Sequence, residues 1–373
     1  MTSPIWGGMA GDIAESKQDV GMLNRQTLIG MTDERGEAWH RRDDLQGDED
    51  NHYPGHIPLG DVVRRLFDWQ PVRADVAYLL PHPLTVGDNA ETPVVWIDGQ
   101  RFRVVKTQDD RVGVLHSKTD YDLGVFKSAS LHPPYRETLI NQAEKLIGTT
   151  LGISTAGCLD QGQRAWVEFS VPETCHDPKS GLGYRPNLVH ADSMDGSISY
   201  TKMLTVEATV CGNTLRANLL EARDSGFLTR RKHTSGVLDP RKDADERAAL
   251  GILEQVDEAF LADWHKLVET EVTKDQVIQV LDVIKPVPAE KGRGQTMSTQ
   301  WRDQWMSVYE HNPMCRDWFG TAAGVFQADN TFRHHFDPRK GDSRWATNTW
   351  RTITGRSAEA DRGIIAALEA VLA

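Results

Sequence analysis

The stretch from Ser193 to Leu219 constrains the fold more than any other. Asp195-Gly196 is a turn signal, Ile198 to Val210 reads as a returning strand, and Asn213 to Arg223 takes on helical spacing. The outgoing partner is Leu188-Val189-His190, so the unit is a long antiparallel hairpin running directly into a helix. Such a hairpin is not stable alone. It must lie in a larger antiparallel sheet with helices covering a face, which predicts an α+β class.

The flanking sequence extends that reading. Val94 to Ile97, Asp98-Gly99 and Phe102 to Val105 form a hairpin, because Asp-Gly accepts the positive φ of a type I′ turn. Ile153 to Leu159 and Ala165 to Val171 form another around Asp160-Gln161-Gly162, and Val112 to His116 adds a further strand. Leu59 to Trp69 has apolar residues at helical spacing and stops before Pro71, and Pro134 to Ile147 reads as a helix closed by Gly148. From Asp239 onward the pattern is helical: a stripe through 240–270, a helix capped by Thr273 and ending at Ile284, then helices near 298–311, 318–332 and 357–372. The expected organisation is a polar, partly flexible arm (1–58), a hairpin core (59–235) and a helical region (236–373), with a Pro/Gly-rich linker near 285–298.

Composition bears on function mainly by exclusion. The formal charge of −12, from 42 basic and 54 acidic residues, argues against a chain that coats nucleic acid over its whole surface. It leaves room for a local basic groove, since a few positioned Lys and Arg make the phosphate contacts. The first residues lack a basic region followed by an apolar core, so no signal peptide is expected, and no run reaches the ~20 apolar residues of a membrane span. Cys158, Cys175, Cys211 and Cys315 are widely spaced, which predicts a reduced, soluble, cytoplasmic protein with free thiols.

No standard motif assigns chemistry. Cys211, Asn213 and His233 have the residue types of a Cys-His-Asn nucleophile site, yet Cys211 also fits a strand end and Asn213 a helix cap, the favoured reading. His334-His335 with Asp337, or His52 and His56 with Asp48 and Asp50, offer metal-ligand types; solvated surface is the favoured reading of both groups. Gly292-Arg293-Gly294 lacks the strand and the Lys-Ser/Thr of a P-loop. No cofactor, metal or catalytic residue is expected. Trp301, Trp305, Tyr309 and Trp318 are expected to pack in a core or protomer interface rather than to stack on bases.

The candidate binding residues are Arg216, Arg223, Arg230, Arg231, Lys232 and His233, which follow the long hairpin closely. Arg216 and Arg223 share a helix face, and such a strip could track a phosphate backbone. A solvated loop pairing with Asp224, Asp239 and Asp243 fits the same residues.

Several of these pieces resemble the phage/plasmid-like protein family known as domain of unknown function 932. The resemblance is carried by Ala156-Gly157-Cys158-Leu159 with Gly162 and Trp166-Val167, by Asp195-Gly196-Ser197, and by Val210-Cys211-Gly212-Asn213-Thr214-Leu215 with Ala217. Lys232-His233-Thr234, Gly320-Thr321-Ala322 through His335, and Ala38-Trp39-His40 add to it. The chain departs where the family usually has Arg-Val before the cysteine strand, since Ala208-Thr209 stand there. The resemblance implies a mobile-element origin and no established chemistry. The order helix, hairpin, long hairpin, basic helix is also similar to the core of phage single-strand annealing proteins of the RecT and Erf kind. That similarity implies an oligomer that binds single-stranded DNA and anneals strands without ATP. A non-enzymatic protein that binds a host factor is the alternative expectation, motivated by the acidic body.

Overall fold

A computed structural model describes residues 26–35, 49–82, 93–106, 110–141, 151–171, 175–208, 228–234, 260–337 and 356–373, with a few isolated positions besides. Its centre is a seven-stranded antiparallel sheet built from the two predicted hairpins. β8 (Gly152–Leu159) pairs with β9 (Arg164–Ser170), and β11 (Gly183–Ser193) pairs with β12 (Tyr200–Ala208). β9 joins β11, so the order is β1-β8-β9-β11-β12-β13, with β10 (Cys175–His176) beside β11. β13 (Leu228–Arg231) forms one end and β1 (Thr27–Ile29) the other. The antiparallel α+β class expected from the sequence is the class observed.

The two sheet faces separate because strand side chains alternate. On one face Ile153, Val167, Phe169 and Leu188 pack under helix α1 (Leu59–Leu66) and a π-type turn at Arg136–Ile140. Val62, Leu66 and Leu139 complete that core, each buried aliphatic contributing roughly 1.5–3 kcal/mol. On the other face Leu159, Trp166, Val189, Ala191 and Met203 form a smaller cluster with Trp350 against it. A third core holds the C-terminal helices and reaches the sheet through Leu182 and Tyr184.

Tyr135 ties the two hairpin turns together. Its buried hydroxyl sits 2.9 Å from the carbonyl oxygens of Gly162 and Gln163 and accepts the Met194 N–H at 3.1 Å. Burial pushes its phenol well above the ordinary range, so it stays a neutral donor. Asp160, Gln161 and Gly162 all take positive φ, as the turn demands.

The described residues of the N-terminal segment, 26–35 and 49–58, join the central sheet and its core. Thr27, Leu28 and Ile29 are fully or nearly buried as they extend β8, and Asn51 Nδ2 donates to the Thr27 carbonyl at 3.0 Å. His52, expected at a solvated surface, is buried beside Asn51, with its Nδ1 2.7 Å from Asn51 Oδ1.

Two three-stranded sheets flank the centre. The first has β2 (Pro71–Ala74), β6 (Arg111–His116) and β7 (Asp122–Lys127) in the order β2-β6-β7. The second has β3 (Ala77–Pro81), β5 (Gln100–Lys106) and β4 (Val94–Ile97) in the order β3-β5-β4. The predicted Asp98-Gly99 turn closes the β4–β5 hairpin with φ of 49° and 77°.

Residues 260–269 are helical, and His265 Nε2 lies 2.8 Å from Asp177 Oδ2, clasping the β10–β11 turn. Helix α2 (Lys274–Ile284) begins at Thr273 with a full capping box to Gln276. Helix α3 (Arg293–His311) starts well before the expected 298, shortening the linker to residues 285–292. One glycine, Gly294, costs about 1 kcal/mol in a helix, less than the buried Trp305, Val308 and Tyr309 return. Gly320 at φ 83° separates a 3-10 turn (Pro313–Trp318) from α4 (Ala322–His335), where a continuous helix over 318–332 was expected. Helix α5 spans Arg356–Leu372. No described helix is long and apolar enough to cross a membrane.

Candidate nucleic-acid interface

The basic residues expected to form one strip are divided by strand geometry. β13 pairs with β12 in the register Tyr200↔Arg231 and Thr201↔Arg230. Successive residues therefore point to opposite faces. Arg230 and Lys232 are exposed, whereas Arg231 is buried and His233 is half-buried. Arg216 and Arg223 lie outside the described residues, as do Cys211 and Asn213. Of the six expected residues, the structure thus places two side by side in solvent and turns two inward.

The inward pair meets a polar seam across β11 and β12. His190 and Asp192 share the face of Leu188, and Lys202 and Tyr200 lie opposite on β12. His233 Nε2 is 2.6 Å from Asp192 Oδ1, whose side chain is 1 % exposed. Burial of His233 works against its charged form. The hydrogen bond and charge of Asp192 more than offset that, so its pKa is raised above the ordinary histidine value. The pair is therefore a buried ion pair when His233 is protonated.

Two further histidines are held neutral nearby. His190 is fully buried with Nδ1 3.4 Å from the Tyr200 hydroxyl. Burial, then Lys202 and Arg231, pushes its pKa well below the ordinary value. His132 rests on Phe126 with ring centroids 4.1 Å apart, and on His233 at 5.4 Å. Burial, then the charges of His233 and Arg73, lowers its pKa to about 4. The Leu131 N–H donates to the His233 carbonyl at 3.2 Å, which fastens the end of β13 to this loop.

This seam arranges side chains for rigidity. Its ionisable groups face one another within the fold, while Arg230 and Lys232 face out. His233 already has a carboxylate partner, and burial pushes the thiol of Cys158, in the hairpin core, up to about 12. Among the described residues no group of three His, Cys, Asp or Glu side chains converges to hold a metal ion. Trp305, Tyr309 and Trp318 are buried in the helical core, and Trp301 packs edge-on against Phe332 at 4.8 Å, in agreement with their expected packing role.

Asp192, His190, Tyr200 and Lys202 were not singled out from the sequence. A signal existed: polar residues at 190 and 192 alternate with Val189 and Ala191 in a strand that is buried throughout. Alternation of polar and apolar residues usually marks one wet face, and here it marks a buried polar network instead.

No curated protein and no solved structure matches the chain. A family model described as "Domain of unknown function (DUF932)" matches residues 135–358, from the turn-tying Tyr135 through both long hairpins to the start of α5. Because that match covers more than half of the chain, this protein belongs to the DUF932 family.

Proposed function

We propose that the protein is a mobile-element protein that binds single-stranded DNA along the β12–β13 edge and promotes ATP-independent annealing as an oligomer. The observation that carries this reading is the alternation of exposed and inward residues at the end of β13 and just beyond it. Arg230 on β13 and Lys232 just past its end are exposed, whereas Arg231 is buried and His233 is turned inward onto Asp192.

A strand held by its phosphates is bound without regard to sequence, and its base edges remain free to find a complement. The sequence supplies no nucleotide-binding loop, so the energy of annealing comes from base pairing itself. The acidic body would repel a second strand from everywhere but such an edge, which favours local rather than general coating.

The test is annealing of two complementary fluorescent oligonucleotides without nucleotide triphosphate. Acceleration by catalytic-to-stoichiometric protein supports the reading. No acceleration, together with no binding of either single strand at low salt, removes it. A stoichiometric host protein recovered in place of nucleic acid would favour the protein-binding alternative.

A further inference from the structure

The three-stranded finger β3-β5-β4 lies outside the segment matched by the family model, and it exposes two large aromatic rings. Tyr78 is 64 % exposed and Trp96 is 60 % exposed. The pairing Tyr78↔Val105, Leu80↔Arg103 and Trp96↔Arg101 puts Tyr78, Trp96, Arg101 and Arg103 on one face. The opposite face carries Leu79, Ile97, Phe102 and Val104. Leu80, Val94 and Val105 share the ring face and Gln100 lies on the other, so what sets the first face apart is that both exposed rings and both guanidinium groups stand on it.

Resting on the single-strand reading above, we infer that the Tyr78/Trp96 face of this finger is a base-stacking platform for single-stranded nucleic acid. Tyr78 stands on β3 and Trp96 on β4, with β5 between them, and their β5 partners are four residues apart. Two strand spacings and four residue rises set them roughly 16 Å apart, so the rings do not touch and each offers a separate surface. Every base has a π-face, so such a surface accepts any sequence; a duplex, whose bases are already stacked, offers no equivalent.

The charges agree with this occupant. Arg101 and Arg103 are the only charged side chains on this face among the paired residues, on a protein whose net charge is −12. Arg103, on the central strand and exposed, lies directly between Leu80 and Val94. A phosphate reaching it would pass between the two rings. An acidic partner protein would use the cations but not the rings, and a purely apolar partner would leave the guanidiniums desolvated at a cost.

The experiment compares wild type with Trp96→Ala, Trp96→Phe and Tyr78→Ala for binding of fluorescein-labelled oligothymidylate and a duplex of equal length. Light scattering is recorded on each variant. Both rings are at the surface, so the variants should fold as wild type. The inference predicts a single-strand affinity loss of roughly 5- to 100-fold for each alanine variant, recovered largely by Trp96→Phe. The salt slope should not change, because no cation is removed. Wild-type binding with unaltered affinity in both alanine variants overturns the finger assignment and leaves the β13 reading standing. Loss of oligomer mass in Trp96→Ala also overturns it, since the face would then join two copies. Absence of any wild-type binding overturns both.

Discussion

Asp192 and His233 meet at 2.6 Å although forty-one positions separate them, and their contact fastens the last described strand of the sheet to its centre. Asp192 belongs to β11 and His233 follows β13, so the pair spans β12. The histidine anchors, and the lysine before it is turned outward.

Replacing Asp192 with Ala leaves His233 buried without its acceptor and is expected to cost about 1–3 kcal/mol. His233→Ala should cost a similar amount, and the double variant less than the sum of the two. Denaturant unfolding of the four proteins measures the coupling. Strict additivity would show that the contact does no work.

The histidines give the stability two opposing pH dependences. His233 has a raised folded pKa, so its contribution is complete below about 6.5 and is lost as pH rises through the folded value. His132 has a folded value near 4, so its contribution holds above about 6.5 and is lost as pH falls towards 4. Asp192→Asn should flatten the alkaline side of the stability profile, and His132→Phe the acid side. Profiles unchanged by either substitution would contradict these assignments.

Trp166 lies across Gly157, its register partner on β8, with the indole where a Cβ would stand. Gly157→Ala therefore overpacks a buried cross-strand contact and is expected to destabilise by about 1–3 kcal/mol, read as a shift in the denaturation midpoint. A neutral substitution would mean the ring moves aside freely.

Arg333 lies between two carboxylates in the helical core. It contacts Asp329 at 2.7 Å and Asp361 closely, while Trp305 Nε1 donates to Asp329 at 3.2 Å. Arg333→Ala strands two buried carboxylates, and a loss of about 3–5 kcal/mol is expected in urea unfolding. Arg333→Lys should recover part of it.

The parts of the fold governed by local chemistry were legible in the sequence. Asp98-Gly99, Asp195-Gly196 and Asp160-Gln161-Gly162 marked their turns, and Thr273 marked its helix start, because each needs a particular φ or a side-chain oxygen. The Thr27–Ile29 strand was not legible, since three residues carry no period and only the β8 edge makes them a strand. The division of Arg230 from Arg231 was likewise hidden. Charge counts alone do not say which side of a strand is covered, and a run of basic residues reads as a patch until its register is known. Arg231, read as a binding residue, is therefore a poor target for a binding test, because its substitution would strike the interior.

The most direct test of the account is the affinity for labelled oligothymidylate across a salt series, wild type against Arg230→Glu/Lys232→Glu. Both side chains are exposed, so the variant should fold. Wild type is expected to bind tightly at low salt and the variant more weakly, with a slope of log affinity against log salt reduced by about 1.4, for two lost phosphate contacts. Equal affinities and equal slopes, or no wild-type binding at low salt, would contradict it.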